Sequence, residues 1–167
     1  VKMTKQQRVA IARQILERAW QFRSQGDGGV AATWFIHGHD RLQIVATPFD
    51  ERVPDVKRMM AEAVAMQVRE AQPVEFVLFV SDAWTRVLPV GTTAQEAKRA
   101  TPPSQSADAV ECLFVQCWGT HPGQDFTLAR RYRQRDDGTL ERLEADDLME
   151  SAMDAMTFAA VVEAIRG

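Results

Sequence analysis

The chain predicts an α+β fold, a single mostly antiparallel sheet of about six strands covered by helices, in the order α-β-β-α-β-β-β-β-α. Three observations lead there. Helical periodicity is confined to three stretches, one near each end and one in the 50s and 60s. The strand-like runs cluster instead of alternating strictly with helices. The last three runs are joined by short turn sequences, Gly119-Thr120-His121-Pro122-Gly123 and Asp136-Asp137-Gly138, as in an antiparallel meander.

Each element follows from local pattern. Thr4 to about Ser24 reads as a helix, with Thr4 and Gln7 at capping-box spacing and Ile11, Ile15, Leu16, Ala19 and Phe22 on one apolar face. Gly26, Gly28 and Gly29 end it. Val30–Ile36 and Leu42–Thr47 form a hairpin around His37-Gly38-His39-Asp40-Arg41. From Pro54 to about Ala71 a second helix turns Val56, Met59, Met60, Ala63 and Met66 inward, and Pro73 stops it. The run from Val74 is apolar on both faces, so it is placed centrally in the sheet and extends to about Leu88. Residues 89–106 read as a long flexible loop, with Ala94–Ala100 able to form a short helix inside it. Ala109–Trp118, Asp125–Arg135 and Thr139–Glu144 are the meander strands. About Asp147 to Arg166 is the closing helix, with Met149, Met153 and Met156 widening its apolar face.

Composition excludes more than it selects. The 167 residues fit one domain, 1–167, that can bury a core without disulfides or metals. A hydrophobic fraction of 46% excludes a disordered chain, and 20 Lys+Arg against 23 Asp+Glu argue against a general nucleic-acid binder. The balance is an average, however. Residues 1–25 carry six cations against Glu17, which suits an acidic protein partner at the N-terminal helix, whereas residues 136–154 carry eight acids and one arginine. No apolar stretch approaches membrane-spanning length and no signal peptide is visible, so no membrane partner is expected. Cys112 and Cys117 lie five apart in one strand, point to opposite faces and cannot bridge each other there, which suits a reducing cytoplasm.

Four groups of residues could carry chemistry. His37 and His39, with Thr47 and Asp50, give the string His-x-His-x7-Thr-x2-Asp, which resembles the zinc motif of JAMM metalloproteases. That resemblance implies a metal-dependent hydrolase with zinc held by His37, His39 and Asp50; a variant would recruit His121. The plainer reading is a polar hairpin turn. Arg131, Arg133 and Arg135 share one face of a strand and could hold an anion or nucleic acid, or could pair across strands with Glu141 and Glu144. Arg130 falls on the other face with Phe126, Leu128 and Tyr132. Asp82, at the end of the central strand, could act with Glu111 as a catalytic acid pair, or could simply shape a strand end. No phosphate loop, dinucleotide motif or nucleophile elbow is present in the sequence, so no cofactor is expected, with zinc at the histidine motif as the alternative.

The stretch Phe76–Trp84, the polar loop reaching Pro102-Pro103 and the Glu111 strand resemble a loose group of small uncharacterised bacterial and phage proteins. In that group a strand ends in Ser/Thr-Glu/Asp-Ala-Trp and a Pro-rich loop leads to a Glu-bearing strand; the resemblance implies a coherent fold and no particular activity. The leading expectation is a non-enzymatic binding or assembly module that uses its sheet face and self-associates as a homodimer, because methionine suits adaptable apolar surfaces.

Overall fold

The computed structural model describes residues 2–26, 28–47, 53, 55–85, 91–100, 109–152 and 157–167. Its elements are α1 (Lys5–Gln25), β1 (Thr33–Gly38), β2 (Leu42–Ala46), α2 (Val56–Glu70), β3 (Val74–Thr85), α3 (Ala94–Arg99), β4 (Val110–Gly119), β5 (Phe126–Gln134), β6 (Leu140–Arg142), β7 (Asp147–Met149) and α4 (Ala159–Arg166). The fold is α+β, as expected. The strands form one sheet in the order β2-β1-β3-β4-β5-β6, with β7 pairing the other end of β5, and every pairing is antiparallel. β3 is central, and both its faces are buried.

Local chemistry explains the boundaries. The capping box forms: the Thr4 hydroxyl accepts from the Gln7 amide, and the Gln7 side chain accepts from the Thr4 amide. Gly138 takes a positive φ of 85°, which lets the Asp136-Asp137-Gly138 turn reverse the chain between β5 and β6. The long connection contains α3, while residues 89–90 and 101–106 of the expected flexible loop lie outside the described residues. So do residues 86–88 at the expected end of the central strand.

Helices cover the two faces of the sheet unequally. On one face α2 lies over the β1–β2 side and α4 over β3 and β4, sealing a core of Trp34, Ile36, Val77, Phe79, Trp118 and Phe158. Trp34 stacks near Phe79 at 4.3 Å and meets Phe158 edge-on at 5.2 Å. On the other face α1 lies over β3, β4 and β5, closing a second core of Leu16, Phe76, Leu78, Leu113, Phe126 and Tyr132. Cys112 belongs to the first core and Cys117 to the second, so the two thiols do face opposite ways.

Three expectations need correction. The closing helix does not start at Asp147: residues 147–149 pair with Thr127–Ala129 as β7, and α4 begins only at Ala159. The cause is Asp146, which is drawn onto buried Arg130 and so delivers the next residues to the free edge of β5. Met153 and Met156 lie outside the described residues. The buried face of α2 is Ala61, Val64, Ala65 and Val68, while Met59 and Met66 stay 57% and 59% exposed. Ala61 and Ala65 are small enough to let α2 pack closely in the first core, where its chief neighbour is α4. Finally, α1 buries Ala12, Leu16 and Ala19 beneath it but not Phe22, which is 64% exposed.

Candidate functional site

That exposed Phe22 marks one wall of a groove. Because α1 sits over β3 to β5, no helix among the described residues covers the same face of β1 and β2, and the space between is an open groove of about 590 Å³. The α1 wall consists of Ile11, Ile15 and Phe22, with Gln14 and Arg18 above them. The spacing 11-15-18-22 puts these residues on one side of the helix. The floor is Phe35 and His37 of β1 with Leu42 and Ile44 of β2. Strand alternation selects them: Phe35 and Ile44 are direct cross-strand partners, as are His37 and Leu42. Leu42 and Ile44 are 51% and 59% exposed.

One polar atom at the floor lacks a partner. His37 stacks on Phe76 with ring centroids 4.2 Å apart, and its Nε2 is buried without a hydrogen bond among the described residues. Burial holds its pKa below the usual histidine value, opposed by the nearby Glu75 carboxylate, so the ring is neutral at pH 7.

The residues with metal-ligand character do not converge. His37 lies on the sheet, His39 is exposed at the hairpin turn 3.6 Å from Glu75, and His121 is exposed at the β4–β5 turn. Asp50 lies outside the described residues. Among the described residues no group of three His, Cys, Asp or Glu side chains is placed to hold a metal ion.

Asp82 and Glu111 face the α1 side of adjacent strands, and both are engaged in anchoring the end of α1. Asp82 Oδ2 accepts from the Val30 amide at 2.9 Å. A Cβ at Gly29 would come within 2.7 Å of the same oxygen, so a side chain there would push the carboxylate off the Val30 amide. Glu111 accepts from buried Arg23 at 3.3 Å, and Arg23 also donates to the Gly26 carbonyl. Tyr132 lies opposite Glu111 under the Arg23 guanidinium, and burial followed by the Glu111 charge raises its pKa. These acids fix the turn that returns the chain from α1 to β1.

Of the three strand arginines, Arg131 pairs with Glu144 at 2.7 Å and Arg135 lies 3.6 Å from Glu141, which is the cross-strand alternative. Arg133 is exposed and has no partner among the described residues. The arginine that matters structurally is Arg130, which sequence reasoning put on the apolar face but gave no role. Its buried guanidinium holds Asp146 through two 2.9 Å bonds, reaches Glu17 of α1 at 3.0 Å and lies over Trp20.

The basic character of α1 is likewise partly consumed. Arg23 pairs with Glu111, Lys5 with Glu150, and Arg8 is buried over the Phe76 ring. Lys2, Arg13 and Arg18 are exposed without partners among the described residues, and of these Arg18 stands on the groove. No helix among the described residues is long and apolar enough to cross a membrane. No protein-family model matches the chain, and no curated protein or solved structure is significantly similar to it.

Proposed function

We propose that this protein is a non-enzymatic binding or assembly module whose binding face is the groove between α1 and the β1–β2 hairpin. One observation carries the reading: Phe22, Leu42 and Ile44, three large apolar side chains more than half exposed, converge on a single concavity. Full burial of such a side chain contributes about 1.5–3 kcal/mol, so the three together leave roughly 3–5 kcal/mol for a partner to collect. Contiguous exposed apolar surface of this kind marks interaction sites. A cytoplasmic setting fits the reading, since Cys112 and Cys117 are free, buried thiols on opposite faces.

The experiment is a titration with the apolar dye bis-ANS, on the wild type and on Ile44→Asp. The wild type is expected to give a saturable fluorescence rise that the variant loses, with unchanged melting. An equal rise in both proteins would refute the groove as the binding face.

Self-association is the second reading, and β2 favours it. Among the described residues this strand ends the sheet order, with Leu42 and Ile44 exposed, and an edge strand of that kind is a template for a second copy. Light scattering that returns a monomer at all concentrations would remove the homodimer.

A further inference from the structure

We infer that the groove accepts one amphipathic α-helix of a partner protein, lying alongside α1 and turning an acidic residue to Arg18. This rests on the binding reading above and adds the nature of the occupant.

The argument starts from the unequal cover of the sheet. Among the helices packed on the sheet in the described residues, α2 and α4 lie on one face and α1 on the other. Among the described residues the part of that face without a helix over it is β1 and β2. Two adjacent strands span about 10 Å across a sheet, and an α-helix with its side chains is about 10 Å wide. The gap therefore has the width of one helix. Its α1 wall runs from Ile11 to Phe22, about 16 Å at 1.5 Å per residue, which matches three turns of a companion helix. Both walls offer side chains rather than backbone, and helix-in-groove docking uses such surfaces.

Charge selects which helix. Arg18 is exposed above the groove and has no partner among the described residues, and none of the described groove residues is acidic. Neighbouring Glu17 cannot offset it, because Glu17 turns away to Arg130. A docked helix with an acidic flank would meet an unopposed guanidinium; a basic flank would meet repulsion.

A second copy is the weaker occupant. The chain's own exposed helical stripe is Met59 and Met66 of α2, and α2 lies on the opposite face of the sheet from the groove. Seating it in a neighbour's groove would be a head-to-tail contact, which does not close at two subunits unless the rotation happens to close a ring.

The test uses two fluorescein-labelled synthetic helices of roughly 14 residues, long enough to fill the groove. Both carry leucines at helical spacing, and they differ only in glutamate or lysine along one flank. Fluorescence anisotropy is expected to show saturable binding of the glutamate peptide, about five-fold tighter than its lysine twin. Arg18→Glu should reverse that order, and Ile44→Asp should weaken both peptides at least ten-fold. Both substituted side chains are exposed, so unchanged melting curves will show that the variants fold. Equal affinities, indifferent to Arg18→Glu, would overturn the acidic flank and leave the groove reading standing. No saturable binding of either peptide would overturn the helical occupant, while the dye titration would still report on the groove itself. A dimer in sedimentation that Ile44→Asp dissociates would give the groove to a second copy and overturn the inference.

Discussion

Replacing Arg130 by methionine tests the claim that a single buried cation positions both α1 and β7 on the sheet. The side chain is 4% exposed and makes two 2.9 Å bonds to Asp146, whose side chain is 11% exposed, and one 3.0 Å bond to Glu17. Charge-assisted hydrogen bonds contribute about 1.5–3 kcal/mol each, and removing one partner of a buried ion pair costs about 3–5 kcal/mol. Two features moderate this. Arg142 also reaches Asp146 at 2.9 Å, so the carboxylate keeps a cation, and half-exposed Glu17 is screened by solvent. The expected loss for Arg130→Met is therefore about 2–4 kcal/mol, read by urea denaturation with tryptophan fluorescence. The double variant Arg130→Met/Asp146→Leu should recover at least about 1 kcal/mol of that loss, because it strands no charge. Acid adds an independent reading. The bond from Arg130 holds the Asp146 pKa below the ordinary 3.8, so the pair's stabilisation is complete above that value and fades as pH falls below it. The variant should lose much of this acid sensitivity. A single-variant loss under about 1 kcal/mol, or a double variant no better than the single one, would refute the reasoning.

Four further outcomes follow from the same structure. Gly29→Ala should cost about 0.5–1.5 kcal/mol by pushing the Asp82 carboxylate off the Val30 amide, whereas Gly28→Ala, with open space around it, should be nearly neutral; equal effects in thermal melts would contradict the close approach. Because burial keeps His37 neutral in the folded chain, the unfolded chain takes up that proton first as pH falls below about 6.5; stability should decline from there downward, and His37→Gln should flatten the decline in a denaturation series from pH 7.5 to 5. Burial pushes the Cys112 and Cys117 thiols up to about 11 and about 12, so Ellman's reagent at pH 8 should label neither until the chain is denatured; rapid native labelling would show that one of them is exposed. Trp34→Ala, in the core, should cost about 3–5 kcal/mol, while Ile44→Thr and Phe22→Lys should each stay within about 1 kcal/mol of wild type; a loss above 2 kcal/mol for either groove residue would make it core rather than docking surface.

Elements governed by local chemistry were legible in the amino-acid sequence. The Thr4–Gln7 capping box, the Asp136-Asp137-Gly138 turn and the doubly apolar run from Val74 each depend on a few neighbouring residues, and each forms as expected. What escaped depends on which element covers which. On α2, the row Met59–Ala63–Met66 and the row Ala61–Val64–Ala65–Val68 both satisfy helical periodicity, and only tertiary packing, with α4 as its chief neighbour, decides between them. The 147–166 segment has helical spacing throughout, yet its first residues are captured as a strand by the Arg130–Asp146 pair 16 residues apart. The groove escaped for the same reason. Phe22 belongs to an apolar stripe with Ile11 and Ile15, but whether that stripe faces the core or open space depends on how far α1 reaches across the sheet.

That reach is itself fixed. Arg23 ties the C-terminal end of α1 to Glu111 on β4, and Glu17 ties its middle to Arg130 on β5. Arg8, over Phe76, sits at the N-terminal end against β3. These three arginines anchor the helix over β3 to β5 and keep it from sliding onto β1 and β2. Such a slide would bury Phe22 against Ile44, but it would also uncover Leu113, Phe126 and Tyr132 beneath the helix. The anchors prevent it, so Ile11, Ile15 and Phe22 stand as one fixed wall opposite Phe35, Leu42 and Ile44. A preformed apolar cleft of fixed width avoids much of the ordering cost that a flexible surface would incur on association. The same arginines that hold the second core together therefore hold the groove open.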